Sequence, residues 1–215
     1  MNKIIHIILI SIISLTVISC AKKSDSSSTT SSGLFVAVGN SGTLLTSSDG
    51  TSWTSRTSGS SENLWNSYYG NSTFVTVGNK GTILTSSDGI TWTSRTSGTT
   101  EHLYGITYGK STFVVVGDNG SGSGTILTSS DGISWTSRTS GTTNSLWDVN
   151  YGNNKFVLSD GAGGVQSSSD GISWTSRVGI DTTVSGAVLT ETVSSWWRVR
   201  MDTSSPLLME PPGIM

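Results

Sequence analysis

Between Phe35 and Arg177 the apolar positions fall in short alternating runs set between turn residues, and the whole arrangement recurs four times. The runs align as "FVAVGNSGTLLTSSDGTSWTSRTSG" from Phe35, "FVTVGNKGTILTSSDGITWTSRTSG" from Phe74, "FVVVGDNGSGSGTILTSSDGISWTSRTSG" from Phe113 and "FVLSDGAGGVQSSSDGISWTSR" from Phe156. Successive starts lie 39, 39 and 43 residues apart, the longest interval holding an insertion in the loop from Gly117 to Gly124. Between the units stand "LWNSYYGNST" from Leu64, "LYGITYGKST" from Leu103 and "LWDVNYGNNK" from Leu146. In the third unit this pattern predicts four strands, over Leu103–Tyr108, Phe113–Val116, Thr125–Ser129 and Ser134–Arg138. Phe, Val, a variable residue and Val alternate with the two-residue period of a strand, and turn residues bound each run. Four strands in about 40 residues is the size of a β-propeller blade, and a blade alone cannot bury its faces, so neighbours must stack. The expected fold is all-β: an array of about four four-stranded antiparallel blades over residues 34–177. The array is expected to be open, because "SSTTSSG" ahead of Leu34 offers the first unit no first strand.

The most constant stretch is "SSDG" followed, after two further residues, by Trp. Asp-Gly between two strand runs is a hairpin signal, since Gly accepts positive φ and Asp can bond its own following backbone. The corners are Asp49 and Gly50, Asp88 and Gly89, Asp131 and Gly132, and Asp170 and Gly171. Trp53, Trp92, Trp135 and Trp174 follow each Asp by four positions and return on the next strand, large enough to wedge between adjacent blades. Arg56, Arg95, Arg138 and Arg177 read as exposed strand residues with their stems along apolar surface.

These repeats resemble the Asp-box (BNR) repeats of sialidases and those of the photosystem II assembly factor propellers, over Leu34 to Arg177. The usual Asp-box keeps one residue between Asp and Gly and five steps from Asp to Trp, so the corner here is one residue tighter. The resemblance implies a propeller fold. Sialidases work through an arginine cluster, a Tyr paired with an acidic residue and an acid/base Asp, none of which lies in the Asp-box.

No such constellation is legible. Almost every acidic residue is a corner Asp or a loop residue such as Glu62, Glu101 or Asp148, and copies spread over successive corners cannot converge on one centre. His102 stands alone in a loop and His6 lies in the leader, so the sequence assigns no metal ligands, no catalytic residue and no cofactor. "GDNGSGSG" lacks both the acidic alternation of a calcium loop and the Lys of a phosphate loop. Glu62, Glu101, His102, Asp148 and Asn150 vary between units, at the loop and inner-strand positions where propellers read partners; solvated loops are the better account of them. Composition narrows the partners further. Only 12% of residues are charged and the net charge is −2, which argues against nucleic acid.

The N-terminus reads as a targeting segment. Lys3 precedes a 15-residue run, Ile4 to Ile18, that is short of the roughly 20 residues a spanning helix needs. It ends in "VISC", which resembles the lipobox of bacterial lipoproteins, and Cys20 is the chain's one cysteine. The expectation is a lipoprotein signal peptide over 1–19, a lipid on Cys20, palmitate among the acyl chains, and a Ser/Thr-rich tether over 20–33. An uncleaved helical anchor and a secreted protein with an incidental Cys are the alternatives. By family analogy, Ala21 in place of the inner-membrane retention Asp places the protein in the bacterial envelope, on the outer membrane rather than the inner.

After Arg177 the pattern stops. A fifth unit would put its Asp near residue 209 and its Trp near 213. Joining the last base of each codon to the first two of the next forces Gly at Met201–Asp202 and again at Met209–Glu210, eight positions apart, the spacing of Gly81 and Gly89. The shifted frame permits "ILTSSD" between them and Trp at Pro212–Gly213, with "YGN" and "FVV" upstream. Residues 178–215 therefore read as a fifth repeat displaced by one base. The functional expectation is a non-catalytic, lipid-anchored binding or assembly scaffold; the alternatives are a sialidase-like hydrolase and a truncated product without activity.

Overall fold

A computed structural model describes residues 17–23, 33–118 and 124–177, as sixteen strands in four antiparallel four-stranded sheets. The first sheet is β1 (Val17–Lys23), β2 (Leu34–Gly39), β3 (Leu44–Ser47) and β4 (Thr54–Ser55). The second is β5 (Leu64–Gly70), β6 (Thr73–Gly78), β7 (Ile83–Ser86) and β8 (Thr93–Arg95). The third is β9 (His102–Gly109), β10 (Thr112–Asp118), β11 (Gly124–Ser129) and β12 (Thr136–Arg138). The fourth is β13 (Leu146–Gly152), β14 (Lys155–Asp160), β15 (Val165–Ser168) and β16 (Thr175–Arg177). Each sheet is a meander in chain order, and β1, β5, β9 and β13 pack in succession as the inner strands of consecutive blades. The all-β blade array is thus what the repeats build.

The core lies between blades. One face of the first blade, Val36, Val38 and Leu44, closes on Leu64, Phe74 and Leu84 of the second, with Trp92 packed against the same cluster. Val75, Val77 and Ile83 of the second meet Leu103, Phe113, Val115 and Leu127 of the third, with Trp135. Val114, Val116 and Ile126 of the third meet Leu146, Phe156 and Leu158 of the fourth, with Trp174. Each residue of the Phe-Val-x-Val run therefore serves one neighbour or the other by parity, which is why both faces are apolar. The inner hairpins interlock as well: Gly70 and Gly109 leave room for the rings of Tyr108 and Tyr151 on the next blade.

Three differences from the sequence reading have physical causes. The first blade has an inner strand after all: β1 pairs with β2, Cys20 opposite Ala37 and Lys23 opposite Leu34, across the expected boundary at 19/20. An unpaired β2 would leave a row of backbone donors and acceptors open, and this segment satisfies it. The outermost strand of the third blade starts at Thr136 rather than Ser134, because the Ile133 and Ser134 amides are still bound to the Asp131 carboxylate. The arginines are held rather than free: Nε of Arg56, Arg95 and Arg138 donates to Thr46, Thr85 and Thr128, each at 2.8 Å. Residues 24–32 of the expected tether, loop residues 119–123 and the divergent tail from 178 lie outside the described residues.

Candidate functional site

The repeated corners are self-contained. Asp88 Oδ1 accepts the Ile90 and Thr91 amides at 2.8 Å and the Ser86 hydroxyl at 2.8 Å, while Gly89 N donates to Ser86 Oγ at 2.7 Å. Trp92 Nε1 closes the knot on the Gly89 carbonyl at 3.0 Å, and Gly89 supplies the required φ of +73°. Asp49, Asp131 and Asp170 repeat the same bonds with Ser47, Ser129 and Ser168. Backbone amides, led by Thr91, hold the Asp88 carboxyl down to about 2, and those led by Ser52, Ser134 and Ser173 lower Asp49, Asp131 and Asp170 likewise. A carboxylate so committed is a poor general acid or base at neutral pH.

A different arrangement forms at the end of the array where the inner strands begin. In β5 the register jumps from Leu64 opposite Gly78 to Asn66 opposite Val77, leaving Trp65 as the extra residue of a β-bulge. The same jump isolates Tyr104 in β9 and Trp147 in β13. A bulge frees one residue from strict alternation and re-aims its side chain. Here it turns one aromatic from each of the second, third and fourth blades out of the inter-blade core and into a row. The Trp65 and Tyr104 ring centres are 6.0 Å apart, edge to face; Tyr104 and Trp147 stack at 4.9 Å with 22° between planes. These are favourable aromatic geometries. Trp147 ends the row at 43% exposure.

Loops and turns around the arc fix the rings. Trp65 Nε1 donates to Asn79 Oδ1 at 2.6 Å. The Tyr104 hydroxyl donates to Asp118 Oδ2 at 3.4 Å, and Ser145 Oγ donates to the same oxygen at 3.1 Å. Burial, with Asp118 adding to it, pushes the Tyr104 phenol up to about 12, so it stays protonated as a donor. Trp147 rests on Gly161, where a Cβ would stand 2.8 Å from its indole nitrogen. Buried Asp160 stiffens that turn by accepting the Ala162 and Gly164 amides and Asn144 Nδ2.

The variable residues divide between loop and strand. Glu62 and Glu101 lie in loops, while His102, expected in a loop, opens β9 opposite Asp118; all three come to this end: Glu62 pairs with Lys80 at 2.9 Å, Gly81 N donates to the Glu101 carbonyl, and His102 Nδ1 accepts the Lys80 amide at 3.3 Å. Asp148 and Asn150 lie on β13, bonded to each other at 3.0 Å. An open polar groove lined by Lys80, Arg95, Ser97, Thr99 and Glu101 runs beside the second blade's turn. Among the described residues, no group of three His, Cys, Asp or Glu side chains could hold a metal ion. The arc itself was missed in the sequence. Its signal was present in the aromatic after each leucine of "LWNSYY", "LYGITY" and "LWDVNY", but nothing in the sequence showed that the residue bulges.

The fold and this arc define an array of β-propeller blades with an aromatic face at one end. No family model and no curated protein matches the chain. Among solved structures it is similar to YCF48 from Cyanidioschyzon merolae, at 18% identity and a TM-score of 0.53, covering 75% of this chain and 57% of that one. A structure of YCF48 bound to D1 peptide matches at 16% identity and a TM-score of 0.56, covering 74% and 54%. The Niastella koreensis GH74 enzyme matches at 20% identity and a TM-score of 0.49, covering 73% of this chain and 23% of the enzyme. The chain spans little more than half the length of the YCF48 structures.

Proposed function

We propose that the chain is a non-catalytic binding or assembly scaffold that receives a polypeptide segment on the Trp65–Tyr104–Trp147 arc. The observation that carries this is the bulge placing an aromatic at the same position of three consecutive blades, with Trp147 43% exposed at the end. Rigid, part-exposed Trp and Tyr are the side chains that anchor protein contacts. The peptide-bound YCF48 structure shares the fold and supports the partner class. The corner carboxylates, each consumed by its own turn, are not candidates for a hydrolase's acid and base.

The proposal extends to a lipid on Cys20 that holds the array at the bacterial outer membrane. Cleavage ahead of Cys20 leaves Cys20–Lys23 to pair with residues 34–37 of β2, so an anchored chain keeps four of the pairs that place β1. Fatty-acid labelling of the chain and of Cys20→Ala tests the anchor; label that survives the substitution removes it. For the arc, a peptide library and a glycan array are screened with the full chain and with Trp147→Ala. Peptide capture that falls at least tenfold in the variant is expected. Capture indifferent to Trp147, or capture of glycans alone, overturns the assignment.

A further inference from the structure

The inner strands of the second, third and fourth blades hold seven, eight and seven residues, and β1 as a whole holds seven. The proposed cleavage ahead of Cys20 leaves β1 only residues 20–23 and takes away the stretch that pairs Val17 with Gly39 and Ser19 with Val38. That stretch has a counterpart in every other blade. Val17 stands where Leu64, Leu103 and Leu146 stand, each 0% exposed in a cluster between blades. The register skips Ile18 as it skips Trp65, Tyr104 and Trp147, and Ser19 takes the place of Asn66, Gly105 and Asp148. Ser19 also ties the first blade to the second: its hydroxyl donates to Asn66 Oδ1 at 2.7 Å and accepts the Ser67 amide at 3.2 Å. Processing therefore bares the backbone edge of β2 at Val38 and Gly39, beside Asn66, the neighbour of Trp65, and such an edge is a template for an added strand.

We propose that the processed chain receives an extended polypeptide segment in the place of residues 17–19, as a strand added along β2. The segment sets an apolar residue opposite Gly39, an aromatic at the bulge, where it continues the Trp65–Tyr104–Trp147 row, and a hydroxyl-bearing residue opposite Val38, on Asn66 and Ser67. The inference rests on the processing and the peptide-binding arc proposed above, and it gives the bound segment its conformation and its order of residues. The chain's own residues 17–19 show that a strand fits there, and the apolar–aromatic order of Leu64–Trp65, Leu103–Tyr104 and Leu146–Trp147 shows what the place favours in the other blades. The incoming strand ends or turns aside at Cys20, where β1 resumes.

The test is binding of a labelled, end-blocked hexapeptide to the processed lipoprotein, purified in detergent with its start fixed by intact mass, and read by fluorescence anisotropy. The probe is the chain's own residues 14–19 carrying Ile18→Trp. Saturable binding is expected. It should weaken several-fold when the probe keeps Ile18 and about tenfold when the probe also carries Ser19→Ala. It should weaken at least tenfold in the Cys20→Ala chain, whose uncut residues 17–19 fill the place at high effective concentration. No saturable binding to the processed chain, binding indifferent to the probe's Trp or Ser, or equal binding by the Cys20→Ala chain overturns the proposal. Trp147, two blades away, is out of reach of so short a probe, so this site and the arc's capture of longer segments fail separately. An intact mass that retains residues 1–19 removes the lipid and this site together.

Discussion

At the level of single residues, the corner explains why Ser, Asp, Gly and Trp travel together. Ser86 donates to Asp88 and accepts from Gly89, Asp88 gathers two amides, and Trp92 ties back to Gly89, so each residue satisfies another. Asp, Gly and Trp were legible as hairpin and wedge; the hydroxyl of Ser86 as the knot's centre was not, because Ser is too common in this chain to stand out. The lowered carboxyls give a pH prediction. Their folded values lie below the unfolded 3.8, so the contribution of the corners is complete above about pH 4 and is lost as pH falls toward 2, the value for Asp88. Thermal midpoints should drop over that window, and Asp88→Asn, which keeps an acceptor but cannot titrate, should flatten part of the drop. A midpoint equally steep in the variant would disconnect Asp88 from the acid limb. At alkaline pH the sign reverses for Tyr104: its phenol is raised to about 12, so spectrophotometric titration should show one tyrosine ionising about two units late, absent in Tyr104→Phe.

Elements were legible where periodicity is strict and obscure where it breaks. The strands of each unit follow from alternation, and their hairpins from "YGNST" and "YGKST". In those turns two successive residues, Asn71 with Ser72 and Lys110 with Ser111, have positive φ, as a type I′ turn requires. Ser72 pays for that conformation where Gly would not, so Ser72→Gly, which creates Asn-Gly, should stabilise the chain by about 0.5–1 kcal/mol in denaturant titration. Gly109 is the opposite case. Its would-be Cβ collides with the Tyr151 ring across the blade boundary, and Gly109→Ala should cost about 1–3 kcal/mol by overpacking. No such constraint shows in the sequence, where Gly109 looks like a turn residue. The bulges were hidden for the same kind of reason: an extra residue in one strand appears only when its partner strand is known. So did the first blade's inner strand, which comes from a segment whose leader-like apolar run masks its pairing.

For the whole molecule, stability is a sum over blades and the contacts between them, as in other repeat arrays. Three apolar clusters join the four blades, so the second and third blades enter two each and the first and fourth one each. Local opening should therefore be easiest at the ends, and amide exchange of a dilute chain should protect Val75–Val77 and Val114–Val116 longer than Val36–Val38 and Val157–Ser159. The first blade separates the two origins this gradient can have. If the end blades open because each enters a single cluster, the first and fourth exchange faster together, and Val114→Ala, which thins the cluster between the third and fourth blades, speeds the fourth further and leaves the first alone. If they open because Ser159 and Gln166 replace apolar residues of the earlier units, only the fourth blade is weak. The apolar run of the first blade favours the former: Val36–Val38 should exchange faster than Val75–Val77, and equal protection of the two segments overturns that account.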